Sequence, residues 1–310
     1  MNRNRFRVLR SNVMLILTAV IWGSAFVAQD SAGATFNGGT FTISFSRFFI
    51  GAIVVLPLFF FTDRTADKSN KTEYTKGIRL SVKAGFLCGI VLFAAAGLQQ
   101  YGITLGTNSG KAGFITVMYV VFVPICGLLF KKKIGPLAWL AVIIAPVGLY
   151  LLCLSSGRFD LRTSDLVVLA SAFAYTVQIL LIDHYSPKCN GILMSAVQFA
   201  TVAVLAGAMM FITEFEYFLR IPEIIPEILF LGVMSCGVAY TLQILGQQYT
   251  NPTVASLLMS LESVFALLFG SLLLSQIPTP RELTGCTIIF AAVVLAQLPA
   301  PKFKSKEKNK

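Results

Sequence analysis

Two ionisable residues, Glu262 and Arg47, lie inside long apolar runs of this 310-residue sequence. A charged side chain at the centre of a bilayer costs about 2.5 to 3.5 kcal/mol on insertion scales, so each one needs a reason. Glu262 could take up a proton or bind a cationic part of a ligand, because desolvation disfavours its ionised form. It could also belong to a buried ion pair or a hydrogen-bonded helix clamp, or lie at the lipid edge.

Arg47 and Lys111 are candidates for anion binding. Arg47 could capture an anion from inside its apolar run, or it could snorkel to water or pack against carbonyls at a helix end. Lys111 starts another run beside Asn108 and Ser109, where a cation is disfavoured at the positive end of a helix unless an anion compensates. One interpretation is an anionic ligand group held by Lys111 and the helix N-terminus; the other is snorkelling.

Amides and aromatic residues inside the apolar runs are further candidates for a binding pathway. Gln100 and Gln243 recur at equivalent places in two parts of the chain. Repeated amides suit either a pathway with hydrogen bonds from both parts or contacts between helices worth about 0.6 kcal/mol each. Five more candidates complete the predicted pathway: Trp22, Tyr119, Tyr240, Gln178 and Gln198.

The cysteine and histidine content predicts no metal site and no cofactor. None of the six cysteines belongs to a C-x-x-C pair, and five lie in apolar runs, where they are typical small hydrophobic residues. His184 is the only histidine. The sequence also has no H-E-x-x-H motif and no P-loop, so we predict neither catalytic residues nor nucleotide hydrolysis.

The overall composition indicates a membrane protein. Hydrophobic residues make up 56% of the chain, charged residues 13%, and the mean hydropathy is +0.77. Soluble globular proteins carry about 25% charged residues, so a soluble enzyme is excluded. The net charge of +11 comes from tails and loops, whereas nucleic-acid binding needs a basic face on a polar domain. The predicted partners are therefore the lipid bilayer and a small molecule, without nucleic acid.

Ten apolar runs are long enough to cross a hydrocarbon layer of about 30 Å as helices. This predicts an all-α integral membrane protein with ten transmembrane helices and mostly short connections; the longest predicted connection is the polar segment 63–79. The predicted helices are 12–28, 42–61, 82–104, 112–130, 137–154, 166–182, 192–213, 228–245, 253–274 and 283–298.

The distribution of Lys and Arg predicts that both termini are cytoplasmic, because basic residues stay on the inner side. Residues 3–10, 64–83, 131–133 and 300–310 hold most of them and would all lie inside. Two ends on one side require an even number of crossings. The alternative for the first helix is a cleaved signal peptide, since arginines precede it and residues 32–34 resemble a cleavage site.

The chain also contains an internal repeat at an offset of 143 residues. Gln243 follows Gln100 at this distance, Gly232 follows Gly89, and the dipeptide Thr107-Asn108 recurs at 250–251. The earlier helices align more weakly: Trp22 with Tyr175, and Arg47-Phe48 with Gln198-Phe199.

The repeat predicts two five-helix units, residues 1–155 and 156–299, followed by a basic cytoplasmic tail at 300–310. Because five is odd, the second unit would be inverted relative to the first. Two inverted units create a central site near the midplane and open it to alternate sides, which is the mechanism of a carrier. Gly85 and Gly89 additionally form a G-x-x-x-G motif that permits close helix packing.

Several motifs resemble the EamA family of the drug/metabolite transporter superfamily. They are WGSAF at 22–26, SRF at 46–48, NSGKAGFITVMYVVFVP at 108–124 and SLESVFALL at 260–268. The resemblance extends over both halves and implies a ten-helix inverted-repeat fold that moves small metabolites across a cytoplasmic membrane, often outward. Many members carry a Gly-Glu pair after the fourth and ninth helices, where this chain has Lys131-Lys132 and Ser275-Gln276, so the role of that carboxylate does not carry over.

We therefore predict a secondary active transporter in a bacterial plasma membrane, acting by alternating access and moving an amino acid-like, nucleotide-precursor or drug-like metabolite, most often outward. Protons or another coupling ion are compatible with the pattern, as is a homodimer. The alternatives are a membrane-embedded enzyme and a non-transporting scaffold or channel. No filter loop typical of a channel is visible in the sequence.

Overall fold

The computed structural model describes residues 3–36, 39–64, 71–107, 109–129, 134–153, 162–274 and 277–298. Within these ranges every regular element is helical. The α-helices are α1 Arg3–Phe36, α2 Thr40–Asp63, α3 Lys71–Thr104, α4 Ser109–Val117, α5 Tyr119–Leu129, α6 Pro136–Cys153, α7 Thr163–Tyr185, α8 Gly191–Thr213, α9 Phe215–Phe218, α10 Ile225–Phe230, α11 Thr241–Gln247, α12 Pro252–Met259, α13 Glu262–Leu274 and α14 Pro280–Gln297. Two 3₁₀ helices, Ser186–Lys188 and Ile221–Ile224, and a π-helix, Leu231–Tyr240, complete the elements.

Nine helical stretches of the described ranges are long and apolar enough to cross a membrane, and each corresponds to one of the first nine predicted helices. The tenth prediction corresponds to α14, which is 18 residues long and packs against α6. Its first residues, Pro280, Arg281 and Glu282, lower its mean hydropathy. The chain is thus a membrane protein with multiple spans, and the tenth crossing stays a prediction.

Two helices extend well beyond the apolar runs that predicted them. Helix α1 continues in both directions from 12–28, and α3 begins at Lys71, so the prediction that 63–79 is wholly a connection is wrong. Hydropathy marks the part of a helix that lies in lipid, whereas the hydrogen-bonded ladder continues wherever Pro and caps are absent. The Tyr74 hydroxyl donates to both carboxylate oxygens of Asp63, at 2.7 and 2.8 Å, and so joins the start of α3 to the end of α2.

The fourth and ninth predicted helices are each broken near their middle. The backbone N–H of Met118 donates to the carbonyl of Ile115 at 3.2 Å, and that of Leu261 to the carbonyl of Leu258 at 3.3 Å. These i to i−3 bonds lie where the α-helical ladder is interrupted, at residue 118 in one helix and at residues 260–261 in the other. The two breaks lie 143 residues apart, the offset of the sequence repeat.

The eighth span, Ile221–Gln247, is also irregular. It passes from a 3₁₀ turn through α10 into the ten-residue π-helix and then into α11. Sequence reasoning predicted one regular helix here, because hydropathy does not distinguish π from α hydrogen bonding. Such π segments occur often at functional sites.

Glycines allow the close helix contacts that join the first part of the chain to the second. A Cβ on Gly89 would lie 2.5 Å from the Cβ of Thr201, and one on Gly85 2.6 Å from the carbonyl oxygen of Met194. This confirms the close approach predicted for the G-x-x-x-G motif, here between α3 and α8. Equivalently, a Cβ on Gly232 would lie 2.6 Å from the Cβ of Ile50 in α2.

Candidate functional site

A cavity of about 590 Å³, a volume that includes its opening, lies among α1, α2, α3, the broken helices, α7 and the eighth span. Seven of the ten predicted pathway residues line it: Trp22, Arg47, Tyr119, Gln178, Tyr240, Gln243 and Glu262. The other lining residues are Phe26, Gln29, Gln99, Thr116, Tyr175, Ile179, Ser235 and Met259.

The two helix breaks place Tyr119 and Glu262 in the cavity. Each is the first residue of the helix after its break, Tyr119 in α5 and Glu262 in α13. The Tyr119 hydroxyl donates to Oε1 of Glu262 at 3.2 Å, and both side chains are buried, 4% and 6% exposed. The hydrogen bond therefore joins the two broken helices at the cavity wall.

Arg47 is buried in the protein, with 7% of its surface exposed. Its guanidinium carbon lies 4.9 Å from the centre of the Phe48 ring, a cation–π contact, and its Nε has no hydrogen-bond partner among the described residues. This burial does not fit the snorkelling alternative. Arg47 and Glu262 both line the cavity, and in the described part of the chain no ion pair within 4.0 Å joins them.

Aromatic rings form one wall of the cavity. The Trp22 and Tyr240 rings meet edge to face with centroids 4.7 Å apart, and Tyr240 also contacts the rings of Phe48 and Phe199 at 5.9 and 6.1 Å. The Trp22 indole N–H donates to the carbonyl of Ser235, in the π-helix, at 3.3 Å. This bond fixes the ring orientation and offers a ligand an apolar surface with a polar edge.

Two glutamines from the second part of the chain supply amide groups. Nε2 of Gln243 donates to Oε1 of Gln178 at 3.4 Å. The remaining amide atoms, Nε2 of Gln178 and Oε1 of Gln243, have no protein hydrogen-bond partner within the described ranges. The pair therefore leaves two buried amide atoms, one nitrogen and one oxygen, without a protein partner beside the cavity.

Sequence reasoning missed a second polar chain, formed by Tyr175, Gln99 and Thr116. The Tyr175 hydroxyl donates to Oε1 of Gln99 at 3.4 Å, and Nε2 of Gln99 donates to the Thr116 hydroxyl at 2.9 Å. The alignment of Trp22 with Tyr175 was a signal that could have identified Tyr175. For Gln99 the sequence offered only its position next to Gln100.

Two predicted pathway residues, Gln100 and Gln198, do not line the cavity, and their role in the pathway stays a prediction. Gln100 is half-buried on another side of α3, because successive residues of a helix point about 100° apart and the preceding Gln99 takes the cavity position. Gln198 is fully buried in α8, where its backbone carbonyl contacts Gly89. Lys111 lies in α4, but its side chain is outside the described part of the structure, and both of its interpretations stay open.

The comparisons with known proteins now identify the family. The model of the EamA-like transporter family matches residues 9–154 and again residues 162–298. The chain belongs to this family. Two relatives from Archaeoglobus fulgidus, each named an uncharacterized transporter, are 30% and 23% identical; they cover 92% and 93% of this chain and 85% and 97% of their own length.

The EamA-like fold extends over almost the whole chain. A solved crystal structure of a protein superposes with a TM-score of 0.77, covering 96% of this chain and 98% of its own, at 16% identity. At that identity the likeness shows the fold alone. The names of the family and of its relatives favour transport over catalysis. In the described residues, no group of three or more His, Cys, Asp or Glu side chains is placed to hold a metal ion.

Proposed function

We propose that this EamA-like protein is a secondary active transporter that holds a small polar or amphipathic metabolite between Arg47 and Glu262 and releases it by alternating access. One observation carries the proposal: the cavity is lined by residues at equivalent positions of the two sequence repeats. The equivalent pairs are Thr116 with Met259 and Tyr119 with Glu262, 143 residues apart, and Trp22 with Tyr175 and Phe26 with Ile179, 153 residues apart.

Two further findings support a duplication with units at 1–155 and 156–299. The family model matches the chain twice, once within each unit. In addition, Gly89 contacts Thr201 and the carbonyl of Gln198, whereas Gly232 contacts Ile50 and the carbonyl of Arg47. The boundary between the units and the tail at 300–310 lie outside the described residues.

The inversion of the units is supported by the directions of their first helices, α1 and α7. Asn12 is hydrogen-bonded to Thr250, and Trp22 to Ser235, so α1 is antiparallel to the eighth span. The successive contacts of α1 thus move backward along that span.

The eighth span is in turn parallel to α2. Gly232 contacts Arg47, and Gly51, one turn further along α2, contacts Cys236, one turn further along the span. Helix α2 is antiparallel to α3, because Asp63 at the end of α2 is hydrogen-bonded to Tyr74 near the start of α3.

Helix α3 is antiparallel to α7. Gln99 meets Tyr175, and Thr107, later in the chain, meets Asp165, earlier in the chain. Together these directions make α1 and α7 opposite, as two inverted units require. Exchanging the conformations of such units moves the opening of a shared cavity from one face to the other.

An even number of crossings is supported at the other end of the chain. The side-chain amide of Asn12 in α1 donates to Oε1 of Gln297 in α14 at 3.2 Å, so the start of α1 and the end of α14 lie at one face. We therefore propose ten crossings with both termini cytoplasmic. A bacterial plasma membrane, outward transport, a coupling ion and a homodimer remain proposals that rest on the sequence and the resemblance.

Counterflow in reconstituted vesicles tests the function directly. Vesicles loaded with an unlabelled metabolite should take up the same labelled metabolite faster than empty vesicles, because a carrier returns loaded and a channel does not. A screen of amino acids, nucleosides and cationic drugs would identify the cargo. A complete absence of acceleration with protein that is folded and correctly inserted would contradict the proposal.

Glu262→Gln is the matched variant for the site. We expect its counterflow rate to fall by roughly 10- to 100-fold, because hydrogen bonds to charged groups contribute about 1.5 to 3 kcal/mol. Glu223→Gln is the control, since Glu223 lies on the surface in an exposed ion pair with Arg220. Such pairs contribute about 0 to 1 kcal/mol, so the control should transport at nearly the parent rate. Equal rates in all three proteins would remove Glu262 from the site.

A further inference from the structure

Two hydrogen bonds outside the cavity join the halves of the protein at equivalent positions. The Thr107 hydroxyl donates to Oδ1 of Asp165 at 3.0 Å, and the Thr250 hydroxyl donates to Oδ1 of Asn12 at 3.0 Å. The two threonines are 143 residues apart, and the two acceptors are 153 residues apart. These are the same offsets that relate the pairs of residues lining the cavity.

Both bonds connect the same structural parts. Each threonine lies in the connection that leads into a broken helix, α4–α5 for Thr107 and α12–α13 for Thr250. Each acceptor lies on the helix that supplies an aromatic residue to the cavity, α7 for Asp165 and α1 for Asn12. Each bond therefore joins the start of a broken helix to a helix, α7 or α1, that carries an aromatic residue of the cavity.

The bonds lie on opposite sides of the cavity. Asp165 precedes Tyr175 by ten residues and Asn12 precedes Trp22 by ten, a distance of about 15 Å along each helix. Because α1 and α7 run in opposite directions, one bond lies toward one face of the membrane and the other toward the opposite face.

We propose that Thr107–Asp165 and Thr250–Asn12 are two equivalent gate contacts, each closing one mouth of the cavity, and that transport breaks them alternately. The inference rests on the proposed function, since alternating access requires that one mouth stays closed while the other opens. Each broken helix can move away from the helix to which it is bonded, α7 or α1, only after that hydrogen bond is released. The opposite bond then keeps the second mouth closed.

The two gates differ in strength. Thr107 and Asp165 are 2% and 1% exposed, and the second oxygen of Asp165 accepts the backbone N–H of Arg162 at 2.7 Å. Asn12 is half-buried and offers a neutral amide oxygen. Bonds to a carboxylate are roughly twice as strong as neutral ones, so the protein without cargo opens more often at the Asn12 mouth.

Side-specific labelling of one cysteine tests the gates without any cargo. The six native cysteines are replaced, and Ser235, which lines the cavity, becomes the reporter as Ser235→Cys. A membrane-impermeant thiol reagent is applied to right-side-out and to inside-out vesicles. Thr107→Val and Thr250→Val then remove one gate hydroxyl each with little change in shape.

We expect Thr107→Val to raise labelling from the face at which Asp165 lies by about three- to tenfold, the effect of losing one hydrogen bond. Thr250→Val should raise it by a similar factor from the opposite face. Thr287→Val is the control, because in the described residues the Thr287 hydroxyl donates within its own helix, to the carbonyl of Leu283. Thr107→Ser and Thr250→Ser keep the hydroxyl and should label like the parent, which separates loss of the gate from misfolding.

The proposal is overturned if both valine variants raise the labelling from the same face. It is also overturned if neither variant changes the ratio of labelling between the two faces, or if no variant is labelled from either face. Counterflow measures transport independently of the gates. If the two valine variants raise labelling from opposite faces but no metabolite shows counterflow, the transport function is rejected and the paired gates are retained. If counterflow occurs but neither variant changes the labelling, the paired gates are rejected and the transport function is retained.

Discussion

The first and second halves of the chain differ much more in their polar residues than in their packing. Gly89 and Gly232 make matching contacts: a Cβ built on Gly89 would lie 2.5 Å from the Cβ of Thr201, and one built on Gly232 would lie 2.6 Å from the Cβ of Ile50. Yet Arg47 aligns with Gln198, and Tyr119 with Glu262. The close contacts recur because both halves pack through the same kind of interface. The charges do not recur, because a shared cavity needs only one of each and every further desolvated charge costs free energy.

The eighth span shows the same difference in the backbone. Its equivalent in the first half, α3, is a single helix of 34 residues, whereas the eighth span contains the π-helix. The π-helix provides the carbonyl of Ser235 that orients Trp22. The two helices therefore differ in backbone, although both pack through a glycine and both line the cavity, α3 through Gln99 and the eighth span through Ser235.

Changing Arg47 should lower transport strongly, whereas changing its equivalent Gln198 should have little effect. Arg47→Gln should lower transport by roughly 10- to 100-fold, since it removes the cavity guanidinium, and a hydrogen bond between a charged group and the cargo is worth about 1.5 to 3 kcal/mol. Gln198→Leu should leave transport within about threefold and should not lower stability, because neither amide atom of Gln198 has a protein partner in the described ranges. Counterflow kinetics and thermal unfolding in detergent measure both. If Gln198→Leu abolished transport as Arg47→Gln does, the halves would not have diverged as inferred.

Equivalent glycines should give equal losses of stability. Gly89→Ala and Gly232→Ala should each lower the free energy of unfolding by about 1 to 3 kcal/mol, because the new methyl group overlaps Thr201 or Ile50. Gly77→Ala is the control, since no atom lies within 4 Å of a Cβ built there, and in a helix it should stabilise by about 0.5 to 1 kcal/mol. The inference that the two interfaces match would be contradicted if the two variants lost clearly different free energies of unfolding, or if neither lost any.

The smallest effects are expected at the aligned aromatic pair, Trp22 and Tyr175. Trp22→Phe removes the bond to Ser235, and Tyr175→Phe removes the bond to Gln99, at 3.3 and 3.4 Å. Each neutral bond contributes about 0.5 to 1.5 kcal/mol, so transport should fall by roughly two- to tenfold in either variant. We expect both variants to lower the apparent affinity for the cargo more than the maximal rate, because both rings line the cavity in which the cargo would bind. An unchanged affinity in both variants would place the cargo elsewhere.

Sequence reasoning determined the membrane class of the protein, most of the spans and the family resemblance, and it predicted the internal repeat. These properties are local: hydropathy reports on single segments, and the repeat is visible in the types of a few residues such as Gln100 and Gln243. It also selected seven residues that line the cavity, since polar groups within apolar runs are rare and need partners.

Only the tertiary structure decided which polar residues meet. It chose Gln99 over Gln100, added Tyr175 and Thr116, broke two helices just before Tyr119 and Glu262, and left Arg47 unpaired with Glu262. The physical reason is that the direction of a side chain depends on how its helix is rotated against its neighbours. That rotation is set by contacts between residues that are far apart in the chain, which no single segment of sequence reports.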